Sequence, residues 1–266
     1  MQSVHDNLMT PPDIALERLL QEKHRRGEEE YAHILGRVPV ENLAPDHLHR
    51  WLVEWMNRQL SDIGVNSTGG VELPPLHFDL VRVQGKVAAA HVFETDEFAF
   101  IVVTEPMVDE MFALATEFVR QNGYLFSLQI ASDAIPVDIA HFLVFLQFCF
   151  VTSHEYSHLV RRHLEAHQPH AAEIGDALTQ TQELDADGYG IYHDLSYLFN
   201  GAGRLITANW LKISNPKVLN NSILDCFLYA LMIQLCARWA RRIQVHSDLS
   251  AEHPPPPVRI EYARCL

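Results

Sequence analysis

Residues 151–160 read VTSHEYSHLV: two histidines four apart, with a glutamate directly after the first. With 16 His and 19 Glu in 266 residues, chance alone supplies about 0.07 matches to His-Glu-x-x-His, so the pattern acquires meaning only from its surroundings. On an α-helix, residues four apart differ by about 40° of rotation and lie one turn above each other. His154 and His158 then point the same way and can share one cation, for which neutral imidazoles are good ligands, zinc above all. Glu155, about 100° round from His154, is too far round to be a natural ligand but can reach a water at the metal, the place of a general base.

Upstream lies IAHFLVFLQFCFVT (139–152), apolar enough to suggest a membrane span. Spanning the bilayer takes about 20 apolar residues. This run is shorter, contains His141 and Gln147 and leads directly into SHEYSH, so it predicts a buried core helix and no membrane span. Such a block would hold the histidine pair rigid and keep the floor of the site dry.

Catalytic zinc takes three protein ligands. A third histidine in the H-E-x-x-H-x-x-G-x-x-H pattern is excluded, because position 161 is Arg and position 164 is Leu. His163, on a continued helix, faces about 180° away from His154. His167 and His170 could fold back from a loop. The stronger source is QELDADGYG (182–190), where Glu183 and Asp187 share one helical face. One carboxylate can bind the metal while the other accepts the ring N–H of a ligating histidine and fixes its tautomer. Gly188 and Gly190 weaken a helix but permit close packing against the motif helix.

The combination His154-Glu155-x-x-His158 and Glu183-x-x-x-Asp187 resembles the gluzincin zinc peptidases, in particular the CAAX-protease and HtpX-like group and its soluble minigluzincin relatives. The similarity extends to FAFIVVTEPMVDEM (98–111), which is like the family's edge strand ahead of the active site, and to HPPPPVRI (253–260), like its His-Pro…Arg signature. It covers residues 75–266 and omits the N-terminal helices. The resemblance implies one zinc ion per chain held by His154, His158 and Glu183, with Glu155 as base and Asp187 behind the ligands. It further implies that His253 lies near the substrate oxyanion and that Arg259 organises the site. Substrate would be a peptide or protein, its extended chain pairing with the strand near 98–103. Tyr156, Tyr189 and Tyr192 are secondary candidates at the oxyanion. Arg161 and Arg162 read as a solvated extension of the motif helix.

Around this core, the chain predicts a helix over 12–35, a second over 45–63 and a polar linker at 64–75. Three strands follow across 77–104 as an antiparallel meander, then helices near 105–121, 137–167, 181–199 and 220–245. The expected fold is α+β, mainly helical and zincin-like, with a small antiparallel sheet packed on the buried motif helix. Two regions are expected, an N-terminal helical one over 1–70 and a metallopeptidase domain over 71–266. A net charge of −14 argues against nucleic-acid partners, which want a basic surface. Cys149, Cys226, Cys236 and Cys265 form no C-x-x-C pair. The first twenty residues lack a secretory pattern, so a reducing cytoplasm is expected. Two rival functions stand beside hydrolysis. One is a latent or inactive metallopeptidase fold serving as a regulatory or interaction module; the other is a helical interaction protein whose histidine pair is coincidental.

Overall fold

A computed structural model describes residues 10–66, 73–129, 136–163, 172–237 and 259–260. His167, His170, His253 and Cys265 lie outside the described residues, as do residues 67–72 of the expected linker. The chain is α+β, mostly helical with a small mixed sheet. It divides into two compact units, Met1–Met107 and Val108–Leu266.

In the first unit, helix α1 (Pro12–Arg26) is shorter than periodicity suggests. Pro12 opens it, and Gly27 closes it with φ 70, its N–H returning to the His24 carbonyl. That left-handed closure suits glycine and ends the helix well before Gly36. Residues expected to continue the helix instead form a single 3-10 turn, Glu29–Tyr31, and strand β1 (Ile34–Arg37). Helix α2 (Leu48–Asn66) follows, then β2 (Leu76–Val83), β3 (Ala90–Glu94) and β4 (Ala99–Thr104).

The sheet order is β1-β2-β4-β3, with β2 and β4 parallel and the other two pairings antiparallel. The expected meander is therefore corrected, and so is the edge position of 98–103. Every residue of β4 is buried, the signature of a strand covered on both faces and paired on both sides. Strand β3, only partly buried, takes an edge. The β3–β4 hairpin closes through Thr95, whose N–H donates to the Phe98 carbonyl at 2.8 Å while its hydroxyl oxygen accepts from the Phe98 N–H at 2.9 Å.

Leu16 and Leu20 of α1 pack with Ile34, Val81, Phe93, Phe98, Phe100 and Val102 in one buried cluster. Helix α2 packs on β2 and supplies Asn57. Its amide nitrogen donates to the Phe78 carbonyl, and its amide oxygen accepts from the Phe78 N–H, each at 2.8 Å. Because β1 pairs with β2 only over residues 81–83, Asn57 supplies the hydrogen bonds a strand neighbour would have made at Phe78. Residues 76–104 thus share a sheet and a core with the chain before them, which is why the division falls at 107 rather than near 70.

The second unit comprises α3 from Val108 onward (α3 as a whole is Glu105–Gln129), α4 (Pro136–Val160), α5 (Ala172–Asn200), α6 (Ala202–Leu211) and α7 (Pro216–Met232). Helix α4 is apolar all round its middle, where Phe142, Leu143, Val144, Phe145, Leu146 and Phe148 are fully buried. Such a helix must be surrounded by protein, and α5, α6 and α7 pack against it. Trp210 of α6 meets Phe142 and Phe145 edge-on, at centroid distances of 5.7 and 5.4 Å. Each fully buried Phe contributes about 1.5–3 kcal/mol. Helix α5 begins at Ala172, earlier than expected. One described helix, Pro216–Cys236, is long and apolar enough to cross a membrane by length and composition. Leu219, Ile223, Cys226, Phe227, Ala230 and Leu231 form its buried stripe, and α7 packs on α4.

Among its described residues, the first unit contains one fully buried acid, Asp79, which accepts from Arg37 of β1 and from the Leu80 N–H. Replacing Arg37 by Met strands that acid away from water and should cost about 3–5 kcal/mol, seen as a lower urea midpoint. The double variant Arg37→Met/Asp79→Leu should recover most of the loss.

Candidate metal centre

The second unit brings His154, His158 and Glu183 together into a group that could hold a metal ion. One turn of α4 separates the two histidines, and their Nε2 atoms are 3.1 Å apart. Glu183 arrives from α5 and straddles the pair, Oε2 at 3.4 Å from His154 Nε2 and Oε1 at 3.4 Å from His158 Nε2. With a metal–ligand distance of 2.0–2.1 Å, two ligand atoms of a tetrahedral site lie about 3.3 Å apart. The two Nε2 atoms stand 3.1 Å apart and each lies 3.4 Å from one oxygen of Glu183, separations of that order, and the donor set of two imidazoles and a carboxylate suits a borderline-soft divalent ion.

The helices approach closely because α5 presents glycine where α4 passes. A Cβ on Gly190 would stand 3.1 Å from the His154 backbone nitrogen and 3.2 Å from the Ser153 carbonyl carbon. Asp187, four residues after Glu183, lies on the same face, buried to 1 % exposure. Its Oδ1 lies 2.9 Å from His154 Nδ1. Arg259 clamps the same carboxylate, Nε to Oδ2 at 2.6 Å and a terminal nitrogen to Oδ1 at 2.5 Å. Burial alone would raise the pKa of Asp187, but His154 and Arg259 outweigh it and hold it below the usual carboxylate range. Burial opposes a charge on His154 too, yet Asp187 and Glu183 lift that imidazole to about 10. Glu155 is half-buried on the adjoining face of α4, near enough for its charge to act on Arg259.

His163 departs from expectation. Helix α4 ends at Val160, and Arg162 adopts the left-handed conformation with φ 56. The chain thereby turns back, and His163, instead of facing away, lies with Nδ1 3.0 Å from His158 Nδ1. Its Nε2 is 3.1 Å from Asp185 Oδ2. Asp185 is gripped by Arg161, Nε to Oδ2 at 2.7 Å and a terminal nitrogen to Oδ1 at 3.1 Å, so Arg161 is engaged rather than merely solvated. Burial and the neighbouring His158 lower the basicity of His163, and Asp185 only partly restores it.

A further buried acid, Asp194, lies deeper in the same helix pair, its Oδ1 accepting from the Ser153 hydroxyl at 2.6 Å. Burial pushes it up to about 8, the Ser153 hydrogen bond only partly offsetting this. Sequence reasoning missed it, although Asp194 follows Asp187 by seven residues and so repeats the face turned to α4. The tyrosines separate: Tyr156 is buried edge-on to His193, Tyr189 lies between His193 and Arg161, and Tyr192 is exposed.

The chain matches no protein-family model, no curated protein and no solved structure at a significant level.

Two stability effects follow from this geometry. Gly190→Val places methyl groups against α4 backbone that cannot yield, and should destabilise by about 1–3 kcal/mol in chemical denaturation. Asp194 has its pKa raised from 3.8 to about 8 by folding. Its contribution is fully present below about pH 4 and is lost as pH rises to about 8, because only the unfolded chain releases the proton in that window. At about 1.4 kcal/mol per pH unit, wild type should fall relative to Asp194→Asn by up to about 6 kcal/mol between those limits, measured by denaturation at a series of pH values.

Proposed function

We propose that the chain is a zinc-dependent metallopeptidase of the gluzincin type, with the α4–α5 pair as a zincin-like metal-bearing core. The observation that supports this most is the convergence of three ligand atoms from two helices, with His154 oriented from behind by Asp187. The same ExxxD spacing places Glu183 and Asp187 in different roles, one at the ion position and one behind it.

Bound zinc at this position supplies Lewis acidity toward a peptide carbonyl and makes a nearby water more acidic. The protein's own part is positional. Asp187 holds the proton of His154 Nδ1, which leaves the Nε2 lone pair for the ion. Glu155 is the general base: a carboxylate oxygen takes a proton from water and returns it to the leaving amine nitrogen. Arg259, mostly buried and near enough to Glu155 to feel its charge, holds the Asp187 carboxyl below the usual carboxylate range. The substrate is a peptide or protein. Strand β4 offers it no edge, being paired on both sides.

Metal content by mass spectrometry and cleavage of a proteome-derived peptide library test this together. Glu183→Ala should lose zinc. Glu155→Gln should retain it and lose hydrolysis by about 10²–10⁴-fold. Full activity in Glu155→Gln would remove the base assignment, and zinc-loaded wild type that cleaves no peptide would favour a latent module instead.

A further inference from the structure

We propose that His163 is a positioning residue that sets the tautomer of His158, through a relay running Arg161–Asp185–His163–His158. This rests on the metal reading of the site and adds to it the second support that the histidine pair requires. Nothing in the local sequence pattern marks His163 for that task; the backbone turn at Arg162 brings it there.

The hydrogen-bond logic leaves one arrangement. Two neutral imidazole nitrogens 3.0 Å apart, His163 Nδ1 and His158 Nδ1, share one proton between them, so one donates and the other accepts. If His163 donated, its Nε2 would turn a lone pair toward the Asp185 carboxylate at 3.1 Å, an unfavourable contact. His158 would then carry its proton on Nε2, the atom facing His154 and Glu183, and could not ligate. If His163 accepts, both of its own contacts are satisfied. Its own proton sits on Nε2 and is donated to Asp185, His158 keeps its proton on Nδ1, and the Nε2 lone pair of His158 faces the ion position. Arg161 keeps Asp185 a fixed acceptor with its two-pronged grip. Without an ion, the same order leaves the His158 Nε2 lone pair to accept at the 3.1 Å contact from a His154 that carries a proton on each ring nitrogen, one facing Asp187 and one facing His158.

Each ligating imidazole is thus backed by an arginine-held aspartate of α5. For His154 the aspartate acts directly, through Asp187 and Arg259. For His158 it acts through an intervening imidazole. The spacing explains the difference: Asp185 sits two residues before Asp187, on a different face of α5, and needs a side chain the length of histidine to reach His158.

The test uses full-length protein and Zn²⁺ titrated against a chromophoric chelator, with ¹⁵N NMR of the imidazoles. His163→Leu should weaken Zn²⁺ binding about 10- to 100-fold. His163→Asn, whose amide oxygen can stand where Nδ1 stood and accept from His158, should recover most of that affinity. In metal-free wild type, the spectra should show His163 protonated on Nε2 and His158 on Nδ1. Unchanged affinity in His163→Leu, or equal losses in the Leu and Asn variants, overturns the proposal. So does a metal-free His163 carrying its proton on Nδ1, a readout that survives even if His163→Leu does not fold. Wild type that takes up no Zn²⁺ but shows the expected protonation pattern would sink the metal reading while leaving the relay standing.

Discussion

Burying charge is the constraint that shapes the α4–α5 pair. Asp187, Glu183 and His154 are exposed to 1 %, 7 % and 8 %, and an uncompensated ion at such depth costs several kcal/mol. Each is tolerated because it meets a group of complementary character. Asp187 accepts from His154 and from both prongs of Arg259. Glu183 faces the two Nε2 atoms. Where no such partner exists, the acid takes the other route open to a buried carboxylate: Asp194, with one hydroxyl as its hydrogen-bond donor, is pushed toward its neutral form. Asp187 and Asp194, on one helix, therefore differ in charge state because of what α4 and Arg259 place opposite them.

Close approach makes this compensation possible. Hydrogen bonds of 2.6 and 2.9 Å between side chains of the two helices require backbones nearer than bulky residues permit. Gly190 supplies the gap beside Ser153 and His154, with Ala186 fully buried one turn earlier. The apolar middle of α4 anchors the other end of the helix among Phe142, Phe145 and Trp210, so the histidine pair sits on a rod that cannot shift to relieve crowding.

Helical periodicity reveals the part of this site that lies on uninterrupted helix. His154, His158, Glu183 and Asp187 recur at four-residue intervals, and their convergence needs only that two helices meet. His163 lies past the end of α4, where a left-handed residue reverses the chain; extrapolating the helix sends it to the wrong side. The same limitation moved the end of α1, because a glycine in the left-handed region at Gly27 stops a helix whatever the apolar pattern beyond it says. In the sheet, β4, apolar from Ala99 to Val103, carried its own signal of double coverage, but adjacency in the chain favoured a meander over the parallel β2–β4 pairing. Strand pairing is a long-range choice that alternation within one strand does not encode.

The two supporting arms beneath the histidine pair differ in a way that has chemical consequences. Asp187 and Arg259 are almost wholly withdrawn from solvent, with side-chain exposures of 2 % and 14 %, whereas Asp185 and Arg161 stand at 36 % and 49 %. Water screens the outer pair, so its charges act weakly at a distance, and what reaches His158 is chiefly the orientation of a hydrogen bond. The inner pair is unscreened and in direct contact with His154, so there the negative charge itself is transmitted and raises ligand basicity. His154 is accordingly the more electron-rich imidazole of the pair, while His158 takes from His163 a direction rather than a charge.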